Sequence, residues 1–84
     1  MKPRNGKRAA NPRNKFAQWL VEHIDASGLT YADVGKKLHV GRTAISGHAT
    51  GLSKPTFMNV VAYCWLFGVQ DDPEEIWNLQ KDEL

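Results

Sequence analysis

Three histidines, one cysteine and nine carboxylates are the side chains of this 84-residue chain suited to metal binding or acid–base work. His23, His39, His48 and Cys64 fall on four separate predicted elements without ligand spacing, so no metal site is expected. Six of the carboxylates crowd into residues 71 to 83, where they read as a helix cap and solvated charges. No acid, base and nucleophile share a motif, so neither catalysis nor a cofactor is expected, and no small-molecule ligand is evident. What remains is hydrogen-bonding and ionic chemistry. Arg42 and Thr43 open a stretch, "RTAISGHATG", that holds no carboxylate, and the next acid after Asp33 is Asp71. A guanidinium with a hydroxyl beside it is suited to planar acceptors and to phosphate.

The elements that must position these groups read as helices throughout, and no strand signal appears. Asn11 and Pro12 are the expected cap and first residue of helix 1, whose Phe16, Leu20 and Ile24 recur at spacings of four, with Ala17 and Val21 on the flanks and Gly28 as the stop. Thr30 caps helix 2, Asp33 sits in its first turn, and Val34 and Leu38 make its apolar face. Helix 3 runs from Arg42 to Thr50 between Gly41 and Gly51, held chiefly by Ile45. Thr56 caps helix 4, which is apolar nearly all round: Phe57, Val60, Val61, Cys64 and Phe67 take one side, and Met58, Ala62, Trp65 and Leu66 the other. Such a helix has to be covered on both sides. The cover is either helix 5, with Asp72 as cap, Pro73 in first place and Glu75 completing a capping box, or a second copy of the chain. The two-copy reading makes Met58, Trp65, Leu66, Ile76 and Trp77 the dimer interface.

Composition narrows the class. Eighty-four residues make one domain with a modest core. A lone cysteine without a leader sequence suits a reducing cytoplasm, and the longest apolar run, "VVAYCWLFGV", is too short to span a membrane. The closing "KDEL" is read as fortuitous, a solvated helix end. Charge is lopsided: residues 1 to 15 carry six cations and no acid, whereas residues 70 to 84 carry six acids and one lysine. Residues 1 to 10 are therefore expected to form a flexible basic arm, with Lys2, Arg4, Lys7 and Arg8, ahead of a domain over 11 to 84.

Two short helices joined by "HVG", with Gly35 at their expected closest approach and Val34, Leu38, Val40 and Ile45 as contacts, fit a helix-turn-helix. Residues 29 to 69, about half of the chain, resemble the Cro/CI-type helix-turn-helix family of phage repressors and related bacterial regulators. Leu29, Thr30, Gly35, Val40, Ile45, Gly51, Pro55 and the closing "FGV" fall on the family's pattern without a gap. Tyr31 stands where glutamine is common, His39 where the turn has glycine, and His48 where an apolar residue is usual. The resemblance implies an all-α, five-helix, lambda-repressor-like domain that binds double-stranded DNA as a homodimer and regulates transcription, repression being commoner.

Helical phase assigns the roles. With Ile45 facing the core, Ser46, Thr43, Gly47 and Thr50 lie roughly 100° to 200° away. Arg42, Thr43, Ser46 and Gly47 are expected to read base edges, Arg42 at a guanine, with Gly47 letting the helix axis come close. Tyr31, Thr50, Ser53 and Lys54 are expected to meet phosphates. The competing reading is a protein-interaction module built on the same helices, such as an antitoxin or an inhibitor of another regulator.

Overall fold

The structure, a computed structural model, describes residues 12–84. Five α-helices follow one another: α1 Lys15–Ser27, α2 Tyr31–Leu38, α3 Arg42–Thr50, α4 Phe57–Phe67 and α5 Pro73–Asn78, the last running into a 3₁₀ turn, Leu79–Lys81. No strand occurs among the described residues. The fold is all-α, and no helix in it is long and apolar enough to cross a membrane.

Local chemistry sets most of the boundaries. Thr30 accepts from the Asp33 N–H while the Asp33 carboxylate accepts from the Thr30 N–H, both at 3.0 Å, closing a box at the head of α2. The Thr30 N–H first, and hydrogen bonding to the carboxylate by the Thr30 hydroxyl second, hold the Asp33 carboxyl below its ordinary range, with Lys36 and Lys37 adding to them. Thr56 and Asn59 close the same box on α4. Gly28, Gly51 and Gly68 end α1, α3 and α4 in the left-handed region, and His39 ends α2 there with φ 60°, a place where a side chain is tolerated at some strain.

Two boundaries differ from expectation. Helix α1 starts at Lys15, capped by Asn14, whose side chain accepts from the Ala17 N–H at 2.8 Å. Pro12 precedes the helix instead of opening it, and Asn11 lies outside the described residues. Arg13 stays outside the helix, where its N–H donates to the Thr50 carbonyl (3.1 Å) and its carbonyl accepts from the Leu84 N–H (3.2 Å). At α5, Asp72 accepts from the Glu74 N–H (3.0 Å), and Glu75 stays exposed without completing a box.

The "KDEL" end is not a solvated helix tail. Its Asp82 carbonyl takes the Lys15 N–H at 2.8 Å, and Glu83 forms an isolated antiparallel bridge with Asn14. Both ends of the described chain are thereby tied to each other and to the close of α3.

Phe16, Leu20 and Ile24 of α1, Val34 of α2, Ile45 and Ala49 of α3, Val60 and Tyr63 of α4 and Ile76 of α5 form the core. Helix α3 is held by Ile45, His48 and Ala49 together, more than by Ile45 alone. Tyr63 is the aromatic centre, 6.2 Å from the Phe16 ring and stacked 6.4 Å from Phe67.

Helix α5 covers only one flank of α4. Ile76 is buried and Trp77 half-buried within the chain, where the indole meets Phe57 edge-on at 5.9 Å and its N–H points to the Pro55 carbonyl at 3.4 Å. Ile76 is thereby withdrawn from the surface and Trp77 partly so, and Leu66 packs partly on the core. Met58 and Trp65 are left uncovered, at 69% and 76% exposure, so the fold-back of helix 5 does not bury that side.

Candidate nucleic-acid interface

The close approach of α2 to the turn into α3 depends on Gly35. A methyl group at that position would stand 2.6 Å from the Val40 carbonyl oxygen and 3.4 Å from the Arg42 nitrogen. Val40 N–H in turn donates to the Gly35 carbonyl at 2.9 Å, closing the turn that delivers the chain into α3. The first turns of the two helices consequently share one side of the molecule.

Between them lies an open concavity of about 750 Å³ lined by Thr30, Tyr31, Ala32, Arg42, Thr43 and Ser46. Four of the residues singled out by helical phase and resemblance, Tyr31, Arg42, Thr43 and Ser46, thus meet at one place. Arg42 and Thr43 are exposed and Ser46 is half-buried. Among the described residues Arg42 is the one charged side chain lining the concavity, which offers that cation and the hydroxyls of Thr43 and Ser46, beside the Thr30 hydroxyl that caps its own helix, to an acceptor-rich ligand. The Asp33 carboxylate, close by in sequence, is occupied by the cap of its own helix.

Gly47 has a different use from the one expected. It is half-buried, and a methyl group there would meet the Ser53 Oγ at 2.5 Å. Its carbonyl accepts from Gly51 N–H (3.0 Å), Ser53 N–H (3.2 Å) and Thr50 Oγ1 (3.1 Å). The missing side chain lets the loop after α3 fold onto the helix. Ser53 and Lys54, both exposed, are placed by that loop.

Two hydroxyls expected to meet phosphates are placed otherwise. Thr50 gives its proton to the Gly47 carbonyl and accepts from the Leu52 N–H at 3.3 Å. The Tyr31 hydroxyl oxygen is buried. The arm residues Lys2, Arg4, Lys7 and Arg8 lie outside the described residues.

His48 and Tyr63, fifteen positions apart, carry a function the sequence reading missed. His48 Nδ1 and the Tyr63 hydroxyl are 2.7 Å apart, with the rings edge to face at 5.9 Å, and both residues are buried. The pair anchors α3 to α4 behind the concavity. Burial keeps the His48 imidazole below its ordinary 6.5 and pushes the Tyr63 phenol up, so both groups stay neutral near pH 7. A polar residue on the inward face of the helix, beside Ile45 and Ala49, is the signal of such a partner in the sequence.

No family model, curated protein or solved structure matches the chain. The chemistry of the concavity is therefore the ground for a functional reading.

Proposed function

We propose that the protein is a sequence-specific, double-stranded-DNA-binding regulator of the helix-turn-helix kind, of phage or bacterial type, that occupies an operator through α3 in the major groove. The observation that carries this reading is the shared exposed concavity at the heads of α2 and α3, with Arg42 as its one charged side chain among the described residues. A major groove about 12 Å wide admits a helix whose outward residues are small and whose leading end carries a long donor. Thr43 and Ser46 are the small residues, and Arg42 is the donor. Arg42 bonds the O6 and N7 of a guanine, and Thr43 reads the neighbouring pair by its methyl group or hydroxyl.

Phosphate contacts fall to Ser53 and Lys54, whose side chains face water, and to the basic residues 1 to 10. Thr50 supports the loop instead, because its proton is already donated. Tyr31 contributes the wall of the concavity. No acid occurs between Asp33 and Asp71, the stretch that would lie nearest the duplex. Carboxylates there would oppose the phosphate field.

Selection of bound duplexes from a random pool tests the reading. The expected result is a palindromic consensus for the full chain and loss of preference at one guanine for Arg42→Ala, with discrimination there reduced by about 1–3 kcal/mol. Absence of any enriched sequence, or an unchanged consensus with Arg42→Ala, would overturn it.

A further inference from the structure

Helix α4 has two opposed faces. Taking about 100° per residue, the buried Val60, Tyr63 and Cys64 centre on one side, and Met58 and Trp65 lie within about 20° of each other on the opposite side. Val61 and Ala62, both half-buried, sit between them along the same stripe. Apolar residues spaced by three, four and seven form the seam along which helices pair. A tryptophan at 76% exposure and a methionine at 69% are out of place on the surface of a domain this small.

The charges around the stripe say what would cover it. No charged residue occurs from Phe57 to Phe67, so two copies of α4 can approach without repulsion. Lys54 precedes the helix and is exposed, while Asp71 follows it and is exposed. Two α4 helices side by side in the same direction would set lysine against lysine and aspartate against aspartate. Antiparallel, Lys54 of each copy, which the operator reading gives to a phosphate, lies in the free protein nearest Asp71 of the other, and the helix ends oppose with favourable polarity.

We propose that α4 pairs with α4 of a second copy, antiparallel about a two-fold axis between Val61 and Ala62. Met58 of one copy then packs on Trp65 of the other, twice, because the interface is isologous. The pairing face is opposite the face that holds Tyr63 and, through it, His48 of α3. Association thus leaves the concavity open and fixes the relation between two reading helices. The surface differs from the one expected from sequence, since Ile76 is withdrawn from it and Trp77 partly so.

Sedimentation of the free, full-length protein across the micromolar range tests the pairing apart from any DNA. A reversible dimer is expected, weakened roughly tenfold or more by Trp65→Glu and by Met58→Glu, with helical content and cooperative melting retained. Lys54→Glu alone weakens association, and the added Asp71→Lys restores it. Orientation has its own readout: Ala62→Cys, next to the axis, oxidises to a covalent dimer, whereas Met58→Cys, facing Trp65, does not. Native Cys64 is buried and its thiol pushed up by burial and by Asp71, so it stays silent. A strict monomer, a dimer unaffected by Trp65→Glu, or preferential self-linking of Met58→Cys would each overturn the proposal. Because DNA is absent, such an outcome is distinguishable from failure of the operator reading.

Discussion

At Gly35 the obstacle to any side chain is backbone. The Val40 carbonyl, 2.6 Å from where a methyl carbon would sit, belongs to the turn that closes on Gly35 itself, so it cannot yield without opening the approach of α2 to α3. Gly35→Ala is expected to cost about 1–3 kcal/mol in urea unfolding as an overpacked site. At Gly47 the nearest obstacle is the Ser53 hydroxyl, which can rotate; the Ser53 Cβ, at 3.1 Å, has to give slightly with its exposed loop, and alanine gains about 1 kcal/mol of helix propensity over glycine. Gly47→Ala is therefore expected to be far milder, and equal losses at the two glycines would contradict this account. The His48–Tyr63 pair makes a prediction in pH. Tyr63→Phe strands a buried ring nitrogen at a cost of about 1–3 kcal/mol. His48 is held below its ordinary 6.5 in the fold, so the unfolded chain takes up its proton first. Stability then falls as pH drops below that value and levels off once the folded protein is protonated too. Urea midpoints measured across that window should slope less in His48→Gln; an unchanged slope would assign the loss to other groups.

At the scale of elements, the ends of the chain act as one unit. Lys15 N–H to the Asp82 carbonyl and Leu84 N–H to the Arg13 carbonyl clamp the first described residues beside the close of α3. Deleting residues 82 to 84 removes both bonds and should lower stability by about 1–3 kcal/mol, at roughly 0.5–1.5 kcal/mol per bond. The check is a thermal melt of the truncated chain, and an unaltered midpoint would make the bridge ornamental. Contacts of this reach are also where sequence reading gave out. The caps at Thr30 and Thr56 and the stops at Gly28 and Gly51 were legible because each depends on residues within four positions. The start of α1 was not. Asn11 and Asn14 both suit a cap, and the choice is made by Thr50 and Leu84, which bond Arg13 from more than thirty residues away in sequence. Helical phase brought Arg42, Thr43 and Ser46 to one surface because all three share a helix, and the capped head of α2 added Tyr31. It could not tell which hydroxyls face water, since Thr50 turns to its own helix and the Tyr31 oxygen turns inward. Hydropathy likewise gave α4 two apolar faces without saying that α5 would cover only one.

For the whole molecule, the deciding quantity is where charge stands relative to the concavity. Net charge is only +2, yet six cations precede Phe16 and six acids follow Val69. The described chain begins beside the end of α3, because the Arg13 N–H is bonded to the Thr50 carbonyl. The eleven residues ahead of it, fully extended, would span at most about 36–40 Å, a little over the roughly 34 Å of one turn of duplex. On the proposed DNA-binding reading, the residues that precede this point are thus numerous enough for Lys2, Arg4, Lys7 and Arg8 to reach phosphates near a groove holding α3. Each phosphate neutralised contributes about −0.9 to the slope of log affinity against log salt. With all four cations engaged, removal of residues 1 to 10 should flatten that slope by roughly 3 to 4, and by less if some remain in solvent. Base preference, set by Arg42 and Thr43, should survive the deletion, so the same selection experiment gives the same consensus at lower affinity. A slope that does not change on deletion would mean that the basic segment stays off the duplex and that Lys54 and its neighbours carry the phosphate contacts alone. A changed consensus would mean that the arm itself reads bases, for which the minor groove beside the site is the place within reach.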